Sequence, residues 1–192
     1  MISIKKVTDL AHYMVSMVIN AGDLAVDATA GNGHDTAFLA EKAGPSGHVY
    51  AFDIQEQSLK ATADKLKEKA LEQRVTLIHA GHEEIARHVV NPVKIVMYNL
   101  GYLPGGSRRV KTESKTTLNS FEQALTLLEP GGIITLVLYP GHPEGLLEKK
   151  ELLRVCTKLP PSGYTVVHTV LANQGNEPPE LIVVQKILFK SG

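Results

Sequence analysis

Apolar residues recur along this chain in two rhythms. Short, nearly unbroken apolar runs at 24–26, 48–52, 75–80, 93–99, 133–138, 164–171 and 181–188 read as strands. Between them, apolar positions three and four apart mark helices. The stretch 2–19 carries Val7, Leu10, Ala11, Met14, Val15, Val18 and Ile19 as one stripe and is predicted to pack on the sheet. A helix over 35–42 is closed by Gly44, Pro45, Ser46 and Gly47, and a helix over 57–72 presents Leu59, Ala63, Leu66 and Ala70 on one face. Residues 82–88 read as a short helical segment, 116–128 as a helix closed by Glu129, Pro130, Gly131 and Gly132, and 146–159 as an amphipathic helix. Strands alternating with helices predict an α/β, Rossmann-like, doubly wound sheet of seven strands, mostly parallel, in one domain over 1–192.

In such open sheets a ligand lies beyond the carboxyl ends of the strands. The segment 26–40, VDATAGNGHDTAFLA, sits at one such end, with Asp27 closing a strand and Gly31 and Gly33 turning the chain into a helix. Glycine there permits strained dihedrals and close approach of a ligand to backbone N–H groups. The third glycine of the dinucleotide fingerprint is absent, so the turn alone also fits an ordinary strand-to-helix connection. Asp53 ends the next strand 26 positions after Asp27, close to where nucleotide-binding units place a carboxylate for ribose hydroxyls. Gly81, His82 and Glu83 follow the third strand, and Asn99 ends the fourth.

Taken together, DATAGNGHD, FDIQ, HAGHE, NLGYLPGG, LEPGG and LYPGH resemble the class I S-adenosylmethionine-dependent methyltransferases. More narrowly they resemble the small bacterial family labelled putative rRNA methylase, whose characterised members methylate the aminomethyl group of 5-aminomethyl-2-thiouridine at the tRNA wobble position. The likeness runs in order over nearly the whole chain. It implies S-adenosyl-L-methionine as cofactor and a terminal antiparallel hairpin formed by the last two strands. It also implies that Asp27 lies near the methionine amine, that the turn of Gly31, Asn32, Gly33, His34, Asp35 and Thr36 approaches the cofactor main chain, and that Asp53 accepts the ribose hydroxyls. Ile54, Gln55 and His82 fall on the adenine side. Two plainer readings stay open: Asp27 and Asp35 as helix caps, and His82 as an ordinary loop residue.

Asn99-Leu100-Gly101-Tyr102 stands where amine-directed methyltransferases carry an (Asp/Asn)-Pro-Pro-aromatic motif, although Leu100 and Gly101 replace both prolines. In that motif a side-chain oxygen and a carbonyl hold the acceptor N–H groups, and Tyr102 would stack on a base. An alkyl amine is mostly protonated at neutral pH, so a proton acceptor is needed; His142 is the candidate, or else LYPGH only turns the chain. One alternative keeps the methyltransferase class and changes the acceptor to rRNA or a small molecule; an NAD-type oxidoreductase or a non-catalytic nucleotide binder is the alternative from another class, and the missing third glycine and the NLGY segment lean against it.

Charge changes the picture in one respect. Twenty basic residues balance twenty acidic ones, so any RNA contact must be local. Arg108, Arg109, Lys111 and Lys115 form one basic loop that would meet phosphates of a tRNA anticodon stem-loop, or would simply be solvated. His79, His82 and His88 lack a cysteine partner or an H-E-x-x-H spacing, so no metal is expected. The single Cys156 and an N-terminus without a signal-peptide layout point to a cytoplasmic protein; a homodimer would enlarge the RNA contact surface.

Overall fold

The computed structural model describes residues 4–101, 114–175 and 177–188. Seven strands form one sheet: β1 (Leu24–Asp27), β2 (His48–Asp53), β3 (Val75–His79), β4 (Val93–Asn99), β5 (Leu128–Leu138), β6 (Tyr164–Thr169) and β7 (Glu180–Lys186). Their order is β3-β2-β1-β4-β5-β7-β6. The first five strands run parallel, and β7 joins β5 and β6 antiparallel, giving the expected terminal hairpin. Sequence order runs outward from β1 through β2 to β3, then restarts on β1's other side with β4. That reversal opens a crevice between the carboxyl ends of β1 and β4, where Asp27 and Asn99 stand.

The apolar runs are unbroken because both sheet faces are covered. Val26, Val96, Tyr98, Ile134 and Leu136 point into one core, shared with Phe121 and Leu152 of α5 (Ser114–Leu127) and α6 (Pro143–Cys156). Their neighbours Ala25, Ile95, Met97, Ile133 and Val137 point into the other, shared with α1 (Val7–Ser16), α2 (His34–Ala43) and α3 (Glu56–Glu68). Cys156 is buried in the first core and its thiol is pushed up to about 12 by burial, so it is an inert packing residue.

Several elements differ from the sequence pattern, among them α6, which runs over Pro143–Cys156 in place of 146–159. Helix α1 begins at Val7, where the Asp9 carboxylate accepts the backbone N–H groups of Lys5 and Lys6 at 2.9 and 3.0 Å. On α3 the buried residues are Ser58, Thr62 and Leu66, while Leu59 and Ala63 are half-buried and Ala70 is exposed beyond the helix end. The helix is rotated so that Thr62 meets the glycine turn, its hydroxyl donating to the Gly31 carbonyl at 3.2 Å. Strand β5 starts at Leu128, so Glu129 to Gly132 lie inside it instead of closing α5. Gly132 sits where a Cβ would come within 2.6 Å of the Lys94 carbonyl, opposite a register irregularity between Val93 and Ile95. The segment after β3 is helical in two pieces, a 3-10 turn over His82–Glu84 and α4 (Ile85–His88).

Candidate active site

The glycine turn is shaped by two residues in the left-handed region, Gly31 at φ 51° and Gly33 at φ 72°. Gly33 is also pinned sterically, since a Cβ there would lie 2.9 Å from the Thr62 Cα. The turn is tied to the neighbouring strand ends: Ala30 N–H donates to the Phe52 carbonyl, and Gly31 N–H donates to one Asp53 carboxylate oxygen, each at 2.9 Å. The other Asp53 oxygen accepts the Gln55 N–H at 2.8 Å. Each oxygen holds one backbone donor and retains a lone pair for a further one.

Asp27 is fully buried and accepts from the Thr29 N–H at 3.0 Å and from the Thr36 hydroxyl at 2.6 Å. Burial first, then repulsion from Asp35, pushes its carboxyl up to about 7 despite those two donors. Asp35 is not a cap of α2, whose N-cap is Gly33 without a side-chain bond. Its carboxylate instead meets His12 Nε2 at 2.6 Å, and the Asn99 amide nitrogen reaches it at 3.5 Å. Asp35 and Asp53 therefore gather negative charge around the glycine turn, beside the buried Asp27 carboxyl. That acceptor set suits a ligand carrying a cation and vicinal hydroxyls.

His82 is buried beside Tyr98, ring centroids 6.0 Å apart, and burial holds its imidazole below the usual range. Ile54 is exposed. Leu100 is a core side chain whose N–H donates to the Val137 carbonyl at 2.9 Å, and Gly101 leaves room for the Tyr139 ring, 3.2 Å from where a Cβ would stand. Asn32 and His34 point away along α3, flanking a depression of about 330 Å³ with Asp64, Lys65 and Glu68. Tyr102, Arg108, Arg109 and Lys111 lie outside the described residues; Lys115 is exposed on α5.

His142 is the N-cap of α6, where its Nδ1 accepts the Gly145 N–H at 3.0 Å. The same nitrogen lies 3.3 Å from the Glu144 carboxylate, so the ring is held at the start of α6. Among the described residues no group of three or more His, Cys, Asp or Glu is arranged to hold a metal ion, and no helix is long and apolar enough to cross a membrane.

Sequence reasoning missed three residues here. Thr29 accepts the Asn99 N–H through its hydroxyl at 2.8 Å, and Tyr139 donates its hydroxyl to the Asn99 side-chain oxygen at 2.9 Å. Tyr139 was reachable, because it follows the carboxyl end of β5. His12 was not, since its role depends on how α1 is rotated against α2.

Residues 49–185 match the family model described as putative rRNA methylase. The chain is 37% identical over 185 residues to the chloroplastic tRNA (mnm(5)s(2)U34)-methyltransferase of Arabidopsis thaliana, covering 91% of this chain and 67% of that protein. A putative rRNA-methylase from Clostridium thermocellum superposes with a TM-score of 0.94 at 42% identity, covering 96% of this chain and 100% of that one. A putative methyltransferase from Streptococcus mutans in complex with SAH superposes at 0.88 with 38% identity and the same coverage.

Proposed function

The chain belongs to the putative rRNA methylase family and is an S-adenosyl-L-methionine-dependent methyltransferase acting on RNA; from that premise we propose that it N-methylates the aminomethyl group of 5-aminomethyl-2-thiouridine at the tRNA wobble position. The observation carrying this reading is the 37% identity, across most of both chains, to a relative named for that wobble nucleoside. The crevice supports it. When bound, S-adenosyl-L-methionine supplies a methyl group activated by a sulfonium. Asp53 holds the ribose hydroxyls with the lone pairs its two backbone donors leave over, and Asp35 supplies negative charge toward a sulfonium and an ammonium, with the buried Asp27 carboxyl as its neighbour. The main chain at Gly31 to Thr36 lines the methionine end, and Ile54, Gln55 and His82 line the adenine end.

On the acceptor side, Asn99, Leu100 and Gly101 lead into Tyr102, which stacks on the target base. Asn99 Oδ1 accepts an N–H of the neutral amine, so that the nitrogen lone pair faces the methyl group. Arg108, Arg109 and Lys111 take phosphates of the anticodon stem-loop. The protein works in the cytoplasm, and a second copy would extend its RNA surface.

Mass spectrometry of tRNA nucleosides from a strain lacking the gene is the test. Accumulation of 5-aminomethyl-2-thiouridine with loss of its methylated product is expected. Unchanged tRNA nucleosides together with a methyl group missing from rRNA would overturn the substrate in favour of the rRNA reading.

A further inference from the structure

We propose that Tyr139 and Asp35 are positioning residues that lock the Asn99 amide in one of its two flip states, and that His12 holds Asp35 in place to do so. The inference rests on the methyl-transfer reading and on Asn99 as the group that receives the acceptor amine.

Asn99 is anchored at three points. Its backbone N–H goes to the Thr29 hydroxyl at 2.8 Å, its Nδ2 makes a long 3.5 Å contact to Asp35, and its Oδ1 accepts the Tyr139 hydroxyl at 2.9 Å. A carboxylate can only accept, so the NH₂ end of the amide is the end that must face Asp35. Turning the amide over would set Oδ1 against Asp35 and waste the Tyr139 donor. Burial and the nearby Asp35 charge both raise the Tyr139 hydroxyl's pKa, keeping it a donor.

The two anchors are themselves held. Asp35 is gripped by His12 Nε2 at 2.6 Å, and the His12 ring lies stacked on Phe38, centroids 4.0 Å apart and planes within 3°. Thus α1 and α2 together fix the carboxylate that orients the end of β4. Tyr139 is half-buried, and Gly101 leaves room for its ring just beyond the end of β4. Oδ1 has two lone pairs; Tyr139 uses one, and the other is aimed by the same lock at an incoming amine N–H. Fixing that direction aligns the attacking nitrogen, which is where orientation contributes to rate.

The test exchanges the two ends of the lock. Single-turnover methyl transfer is measured on tRNA purified from a strain lacking the gene, alongside SAH affinity by calorimetry and the melting temperature. Tyr139→Phe is expected to lower kcat about tenfold while KM for S-adenosylmethionine stays within about twofold. Asn99→Asp faces two carboxylates at each other and is expected to lose about 100-fold. The double variant Asp35→Asn with Asn99→Asp restores an amide donor opposite a carboxylate acceptor, and recovery of at least about tenfold over Asn99→Asp is expected.

A purely structural role would move melting temperature without this rescue. Full kcat in Tyr139→Phe, or a folded double variant no better than Asn99→Asp, overturns the proposal. Should the double variant fail to fold, Tyr139→Phe decides alone. A wild-type enzyme that transfers no methyl to this tRNA would instead condemn the substrate reading, so the two failures are distinguishable.

Discussion

Asp27 is the residue whose energetics are most exposed to experiment. A carboxyl with no solvent contact, two donors and two acidic neighbours is pushed up to about 7, above its ordinary 3.8. The folded state therefore binds a proton that the unfolded chain has released. Its contribution to stability is fully present below the unfolded value and is lost as pH rises through the folded one. Relative to wild type, Asp27→Asn is expected to melt progressively higher as pH goes from about 4 to about 7, with the difference levelling off above that range. A melting-temperature difference that does not change with pH would refute the buried-acid account. Asp53 makes the complementary case, since its oxygens retain acceptor capacity toward the crevice. Asp53→Asn turns one of those oxygens into a donor, and SAH is expected to bind about 10- to 100-fold more weakly by calorimetry. Unchanged affinity would remove Asp53 from the ribose site.

At the scale of elements, the glycine turn and α3 are built against each other. Gly33 adopts φ 72° with Thr62 beneath it, and Thr62 bonds back to Gly31. Gly33→Ala adds both backbone strain and a 2.9 Å approach to the Thr62 Cα, so a loss of about 2 to 4 kcal/mol is expected, read as a fall in melting temperature of roughly 5–15 °C. A variant melting within about a degree of wild type would show that the turn relaxes freely. This pairing also marks where sequence reading succeeds and stops. The strands were legible because residues buried on both faces must be apolar throughout, and Asp27, Asp53 and Asn99 were placed by the rule that ligands sit at carboxyl ends. The face of α3 was misplaced because hydrophobicity ranks Leu59 and Ala63 above Ser58 and Thr62, whereas the buried face is set by what must fit against a turn 30 residues earlier. The start of β5 was misplaced for a similar reason: Pro130, Gly131 and Gly132 look like a stop signal, but Gly132 is there to pass the Lys94 carbonyl. The His12–Asp35–Asn99–Tyr139 chain joins α1, α2, β4 and the residue after β5. No local pattern announces a contact among four such elements.

For the molecule as a whole, the constraint is charge. With 20 basic and 20 acidic residues there is no overall field to draw in a polyanion, and Asp27, Asp35 and Asp53 crowd around the glycine turn. Attraction for RNA is then local, and in sequence Arg108, Arg109 and Lys111 precede α5, which carries the exposed Lys115. Each phosphate neutralised releases condensed counterions, so the dependence of affinity on salt reports how many cations touch the backbone. Changing Arg108, Arg109 and Lys111 together to Ala is expected to weaken tRNA binding at low salt. It should also flatten the slope of log affinity against log salt by about 2 to 3, while SAH affinity is retained. Fluorescence titrations across a salt series measure both quantities. If the slope keeps its wild-type value, the loop is a solvated surface, and the cations that hold the RNA belong to another face or to a second copy of the chain.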